Sequence, residues 1–456
     1  MVAELQADLL VIGWGKGGKT LAGARARAGD RVVIVEQSDQ MYGGTCINVG
    51  CVPTKALVHH ADSRRDVDDE GQWYEHAIGA VQQLTAAMRQ KNFDMLDTLD
   101  TVTVVTGRAV FVDAHTVEVE AGEDRVRISA ETIVVNTGSS PVIVPVEGLR
   151  ESSRLVTNVE LLRTRRLPDR LVVVGGGNIG LEFASMYREL GSQVVVLEAG
   201  PFMPREDERV SRAVRDLLTE SGVVIHTEAK VLRVVDGQQA STVEFEVDGR
   251  AQSVEADLVL AATGRRPATE GLGLEAAGIE VGGRGEVVVN EFLQSSQPHV
   301  YAVGDVNGGP QFTYVSLDDY RVVLDHRWGQ GRRSTRDRVA VPSVVFLTPP
   351  LASVGMTEDE ARRAGHDVVV ADKQVADMAM MPRPKIVQDP RGFMRFVVDR
   401  ESRQVLGARL LCVDAHEVIN TVALAMCHQV TVDELRDGIW THPSVTEGLN
   451  DVLGTV

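Results

Sequence analysis

LLVIGWGKGGKTLAGARARAGDRVVIVE, residues Leu9 to Glu36, is the stretch from which the fold can be read. Leu9–Ile12 is a short apolar strand, Gly13, Gly15 and Gly18 keep a GxGxxG spacing, Thr20–Ala28 reads as a helix, and Arg31–Val35 is a second strand that ends on Glu36. In that order the pieces form a dinucleotide-binding unit. The glycines admit a pyrophosphate to the helix N-terminus, and the acid after the second strand can bind ribose hydroxyls.

Leu171–Val174 opens a second copy. Gly175, Gly177 and Gly180 repeat the spacing, a helix follows through Leu190, and Val194–Leu197 ends at Glu198. Two units mean two nucleotides, or one nucleotide and a decayed copy; two is the expectation. Thr132–Gly138 (TIVVNTG) returns the chain to the first sheet, and Leu258–Pro267 closes the second, its Thr263-Gly264 echoing Thr137-Gly138. Val300–Val306 delivers Asp305 beside Gly304 at a tight turn, where the carboxylate serves either a sugar-like chain or an ordinary turn. Between these markers, residues 59–97 read as a polar, solvated helical excursion with a charged block at Arg64–Glu70, followed by short strands from Val102 to Ile128. From Val341 the pattern becomes a separate α+β domain, with antiparallel strands at Ala352–Gly355, Phe393–Asp399 and Val405–Cys412 and helices at Glu358–Gly365 and His416–Cys427.

Gly43–Lys55, GGTCINVGCVPTK, holds two cysteines. Cys46 and Cys51 are spaced at close to one helical turn, so on one helix their sulfurs share an edge and can form a local disulfide. Near a helix start the field favours thiolate, while Pro53 suggests a distorted first turn. A metal site or two buried thiols would fit the spacing equally well. Near the other end of the chain, His442 stands five residues before Glu447 in WTHPSVTE, either as a general acid/base with its carboxylate or as a surface histidine near a helix start.

At 456 residues about three domains are expected. A net charge of −18 disfavours nucleic acid and anionic membranes. With no run of about 18 apolar residues and no basic leader, the reading is a cytoplasmic protein. Four cysteines are too few for a secreted disulfide framework, so a disulfide here would be catalytic.

Taken together, both GxGxxG turns, GGTCxNxGCxPxK, ATGRRP, the Gly304-Asp305 motif and HPxxxE resemble, in family order over essentially the whole chain, the FAD-dependent pyridine nucleotide-disulfide oxidoreductases. That family includes dihydrolipoyl dehydrogenase, glutathione reductase and mercuric reductase. The resemblance implies an α/β chain of two Rossmann-like domains and a C-terminal α+β dimerisation domain: residues 1–147 and 266–340 for FAD, 148–265 for NAD(P) and 341–456 for dimerisation. It implies FAD on Gly13, Gly15, Gly18, Glu36, Gly44, Thr45, Lys55, Thr137, Gly138, Gly304 and Asp305, with NADH or NADPH on Gly175, Gly177, Gly180, Glu198 and Gly264. Lys55 would pair with Glu182 near the flavin, Cys51 would face the flavin and Cys46 the substrate. His442 and Glu447 would come from the partner subunit of a homodimer.

Electrons would then pass from nicotinamide through FAD to the Cys46–Cys51 disulfide and on to a small oxidant. Glu198 favours NADH by repelling a 2′-phosphate, with Arg205 as a counter-charge. The absence of a C-terminal cysteine argues against large thioredoxin reductases and mercuric reductase. MYGGTCINxGCxPTK, FTYxSLDDYR from Phe312, LLCVDAHExIN from Leu410 and THPSxxExLND resemble a subgroup, the bacterial flavoproteins of reactive-chlorine resistance. By that resemblance the oxidant is hypothiocyanous acid or a related chlorine or sulfur species, with copper(II) also linked to the subgroup. Dihydrolipoyl dehydrogenase and mercuric reductase activities are the alternatives, and a redox-sensing binding protein without turnover is the alternative of another class. Cys412 and His416 either bind a soft metal or pack at a subunit interface.

Overall fold

The computed structural model describes residues 2–65 and 67–456. The opening unit forms in the expected order, with longer elements. Strand β1 spans Val2–Ile12, helix α1 Lys16–Arg27 and strand β2 Val32–Glu36. α1 begins four residues before the expected Thr20 because Gly15, in extended backbone, is its N-cap and the next glycines are buried in its first turn. Those glycines weaken helix propensity, but close packing against Asn136 and Ser316 requires them: a Cβ on Gly17 or Gly18 would come within 2.5 or 2.6 Å of those residues.

The Cys segment forms α2 (Thr45–Asn48) and α3 (Cys51–Asp62), and α4 spans Glu70–Asp97. Four strands follow: β3 (Val102–Thr106), β4 (Arg108–Phe111), β5 (Thr116–Ala121) and β6 (Asp124–Val135). The sheet order is β3-β2-β1-β6-β5-β4, with Val300–Ala302 also paired to β6. TIVV at 132–135 is therefore no separate return strand but the end of β6. One continuous strand lies parallel to β1 throughout, takes β5 antiparallel on its first half and Val300–Ala302 parallel on its last residues.

The region 59–97 corrects the expectation of a solvated excursion. Tyr74, Ala77, Ile78 and Val81 of α4 are buried with Leu57 of α3 against Leu181, Phe183 and Tyr187 of the second unit. Tyr74 and Tyr187 join hydroxyl to hydroxyl at 2.8 Å. The apolar face, not the charged one, sets where this helix lies.

In the second unit β7 (Arg170–Val174), α5 (Asn178–Leu190), β8 (Gln193–Leu197) and β9 (Leu258–Ala261) repeat the first design. β8, β7 and β9 run parallel in that order, between Val224–His226 and Leu155–Val156. A three-stranded antiparallel sheet, Lys230–Asp236, Ser241–Val247 and Arg250–Ala256, packs Val243 and Phe245 beneath it. Ser139–Pro141 pairs with Arg265–Pro267 in a short ribbon that ties the two units together. The next helix on the path to the site is α6, Thr313–Trp328. The C-terminal region is a five-stranded antiparallel sheet, Leu351–Gly355, Val405–Leu411 and Phe393–Asp399 at its centre, with α7 (Ala415–Cys427) packed on it.

Candidate active site

A cleft of about 1650 Å³ runs between the two units and reaches the C-terminal region. Its walls include Gly13, Gly15, Glu36, Gly44, Thr45, Cys46, Cys51, Lys55, Thr137, Gly138, Gly177, Glu182, Gly264, Gly304 and Asp305. Gly18, Gly175, Gly180, Glu198, His442 and Glu447 are outside that lining.

The two turns have matching hydrogen bonds and matching reasons for glycine. Gly13 N–H donates to Val35 O at 2.8 Å and Gly175 N–H to Leu197 O at 2.9 Å. Both have φ near +100°, and a Cβ would sit 2.4 Å from Asn136 O and 2.5 Å from Ala262 O respectively. At Gly180 a Cβ would lie 2.0 Å from Gly175 O. Gly18 and Gly180 thus close helix onto turn and strand. Gly138, Gly177 and Gly264 differ: a Cβ there would meet no protein atom within 4 Å; φ of +74° and +110° requires glycine at 138 and 264, whereas Gly177, at φ −76°, has no such need and faces open space in the cleft. A nucleotide pyrophosphate fits this cradle.

Glu36 Oε2 accepts from Trp14 N–H at 3.0 Å. Burial pushes its carboxyl up to about 7, against the backbone N–H groups of Trp14, Ser38 and Gln37. Glu198 is held the same way, Oε2 on Gly176 N–H at 2.5 Å and Oε1 on Gly200 N–H at 2.9 Å, while Arg205 reaches the cleft wall. Asp305 Oδ2 accepts from Ser139 Oγ at 2.6 Å, and Arg265 Nε donates to that same Oγ at 2.9 Å. Its neighbour Gly304 donates N–H to the buried Asp319, which is paired with Arg338. Asp305 is therefore fixed by side chains far away in sequence. Asn136, Arg265 and Asp319 stand inside the TIVVNTG, ATGRRP and FTYxSLDDYR stretches, where no role can be read for them, and Ser139 carries no signal in the sequence.

The cysteines are not on one helix. α2 ends at Asn48, Gly50 takes an irregular backbone (φ −131°, ψ −116°), and Cys51 is the first residue of α3. Pro53 sits in the first turn of α3, where its missing N–H costs nothing, so no distortion follows. Both cysteines are thiols here. The Cys51 thiol is lowered to about 6, chiefly by its neighbour Cys46; partial burial opposes this, and Thr313 and Lys55 assist. Cys46 is pushed well up, first by Cys51 beside it and then by its partial burial. Their mutual contact thus makes Cys51 the more acidic of the two thiols. Thr313 Oγ1 stands 3.4 Å from Cys51 Sγ.

Lys55 Nζ meets Glu182 Oε2 at 2.6 Å, and the other carboxylate oxygen accepts from Phe346 N–H at 3.0 Å. Lys55 also lies over the Phe346 ring at 4.5 Å. α3, α5 and the C-terminal region thus meet at one ion pair beside the cysteines. His442 Nδ1 and Glu447 Oε1 are 2.9 Å apart, and Ser444 N–H binds Oε2 at 2.8 Å. Burial pushes the Glu447 carboxyl up, but Ser444 N–H and His442 together hold it below the usual carboxylate range. The His442 side chain is 70% exposed and lies away from this chain's own cleft.

Cys412 is fully buried, and burial pushes its thiol well up. His416 lines the cleft near Phe346. Among the described residues, no three His, Cys, Asp or Glu side chains gather as metal ligands, and no helix is long and apolar enough to cross a membrane.

Two dinucleotide turns and a cysteine pair on one cleft define a nucleotide-dependent thiol–disulfide oxidoreductase. The pyridine nucleotide-disulphide oxidoreductase family pattern matches residues 7–319 and its dimerisation domain residues 341–453, and the chain belongs to that family, whose cofactors are FAD and NAD(P)H. It is 42% identical over 98% of its length to the probable pyridine nucleotide-disulfide oxidoreductase RclA of Escherichia coli, covering 98% of that protein. The Cu(II) complex of that HOCl-induced flavoprotein disulfide reductase superposes with a TM-score of 0.94 over 99% of both chains. A mercuric reductase of Lysinibacillus sphaericus is 32% identical over 98% of this chain and 82% of its own length.

Proposed function

We propose that the enzyme delivers electrons from a nicotinamide dinucleotide through the Cys46–Cys51 pair to hypothiocyanous acid or a related chlorine or sulfur oxidant. The observation that carries this reading is the placement of Cys46 and Cys51 together on the wall of a cleft lined by both dinucleotide turns, beside the Lys55–Glu182 ion pair. Residues 1–147 and 266–340 would bind FAD, with Glu36 on the adenosine ribose and Asp305 on the ribityl chain, and residues 148–265 the nicotinamide nucleotide. Bound FAD supplies the two-electron link between nicotinamide and disulfide. Lys55, neutralised by Glu182, offers a positive group at the cysteine end of the cleft.

Once the disulfide is open, His442 of the partner subunit, oriented by that subunit's Glu447, takes the proton of Cys46. The Cys46 thiolate attacks the sulfur of hypothiocyanous acid, forming Cys46–S–SCN and releasing hydroxide, which regains the proton as water. The Cys51 thiolate then attacks Cys46 Sγ, re-forms the disulfide and expels thiocyanate. A dithiol working this way suits the cytoplasm, where thiols stay reduced. Cu(II) is a second reading, favoured by the Cu(II) complex of the RclA relative; two Cu(II) ions would take one electron each from the same dithiol.

The test is anaerobic reduction with NADH followed by parallel challenge with hypothiocyanous acid, Cu(II), oxidised lipoamide and Hg(II). Rapid, repeated return of oxidised flavin with hypothiocyanous acid is expected. Faster recovery with lipoamide or Hg(II) would reassign the substrate, and a single turnover with every oxidant would make the protein a sensor. Glu198 predicts a higher kcat/KM with NADH than with NADPH; the reverse would overturn that preference.

A further inference from the structure

We propose that Arg409, a buried residue of the C-terminal sheet, is a positioning residue for nucleotide selection: through Glu206 it fixes the loop that presents Arg205 to the 2′-position of the nicotinamide nucleotide. This rests on the reading of Glu198 and Arg205 as the groups that meet the second ribose. The loop, residues 199–207, joins β8 to the helix Glu208–Glu220, and the exposed Arg205 lines the same cleft as Gly177 and Asn178 of the second turn. Among the described residues Arg205 pairs with no carboxylate, so its charge is free to meet a phosphate.

The loop does not hold its shape alone. Met203 takes φ +46°, a conformation that a side chain rarely adopts unaided, and Pro201 and Pro204 bring no backbone N–H. Instead its far end is fastened to the C-terminal region. Glu206 Oε2 accepts from Arg409 Nε at 2.5 Å and Oε1 from Ser353 Oγ at 3.4 Å. Asp207 Oδ2 accepts from Glu358 N–H at 3.3 Å and lies 3.7 Å from Arg395 Nε, while the Arg209 guanidinium stands over the Phe393 ring at 4.6 Å.

Arg409 is the strongest of these fastenings. Its side chain is 7% exposed, its Nη1 is spent on the carbonyls of Val354, Gly355 and Ala408, and Glu206 is its carboxylate partner. A buried arginine holds such a partner firmly, since parting them leaves a bare charge in the interior. Glu206 follows Arg205 in the chain, and its own N–H donates to Met203 O at 3.1 Å, so the clamp closes the turn that carries Arg205. The nicotinamide site is thereby divided. Glu198, held by the N–H groups of Gly176 and Gly200 in its own unit, meets the ribose of either nucleotide. Arg205 counts only where a 2′-phosphate is present, and the C-terminal region sets its place. NADPH should feel the clamp and NADH should not.

The experiment follows anaerobic flavin reduction of the holoenzyme by stopped flow against NADPH and NADH concentration, so no terminal oxidant enters it. Arg409→Met is expected to raise half-saturating NADPH about tenfold, with the limiting rate and the NADH value within about twofold of the parent. Arg409→Lys, which keeps the cation, should recover most of that loss. Arg205→Ala should lose the same factor, and adding Arg409→Met to it should lose nothing more. An Arg409→Met variant that leaves NADPH unchanged, weakens both nucleotides equally, or adds its loss in full to that of Arg205→Ala overturns the assignment. If Arg409→Met loses flavin, Glu206→Gln in its place makes the same comparison. Unchanged NADPH half-saturation in Arg205→Ala would instead remove the reading of Arg205 beneath the proposal.

Discussion

The Cys51 thiol is lowered chiefly by one neighbour, Cys46. Cys46→Ala removes that neighbour and leaves burial opposing the charge, so the pKa of Cys51 should climb from about 6 toward the ordinary thiol range. The thiolate is present above its pKa and lost as pH falls through it, so the acid limb of Cys51 alkylation should lie near pH 6 in the parent and move up in the variant; an unmoved limb would refute the hold of Cys46 on Cys51. Lys55→Met should destabilise the holoenzyme by about 1–3 kcal/mol in urea denaturation, because Glu182 is left nearly buried without its cation, and adding Glu182→Leu should restore part of that loss. These residues were legible because their motifs are local. Ser139 has no motif, and Asp319 and Thr313 stand in one, FTYxSLDDYR, whose meaning lies in contacts with Gly304 and Cys51 that only the folded chain creates.

The strand-turn-helix elements show the same glycine spelling used for two purposes. Gly180→Ala drives a methyl to 2.0 Å from Gly175 O and should cost about 1–3 kcal/mol, with nicotinamide affinity falling as the turn shifts. Gly177→Ala meets no protein atom and should leave the melting temperature unchanged while raising KM for the nicotinamide. Equal melting shifts in the two variants would contradict that division. The turns could be read from sequence, whereas the lengths of β1 and β6 could not, since polar residues on the outer half of a long strand look like loop. The α4 face is legible in the sequence, since Tyr74, Ala77, Ile78 and Val81 stand at i, i+3, i+4 and i+7, but the charged residues around them mask it. For the cysteines the spacing misled, because one irregular residue, Gly50, splits what counts as a single helical turn.

At the scale of the whole molecule, the exposed His442 away from its own cleft sets a clear test of the shared site. Heterodimers of Cys46→Ser with His442→Gln should recover activity, since one composite site is then intact; if each chain used its own histidine, both sites would be dead. No motif indicates how the three regions are joined inside. Leu57, Tyr74 and Ile78 from the first region, Leu181 and Tyr187 from the second, and Val345, Leu351 and Phe393 from the third share one buried cluster. Calorimetry of the holoenzyme should therefore show one unfolding transition, and two resolved transitions would deny the cluster that role. A chain whose regions share one interior is also poorly suited to dissection. Cutting out the second nucleotide unit would strip solvent protection from Tyr187 and Leu181, so an isolated nicotinamide module should aggregate where the full chain does not.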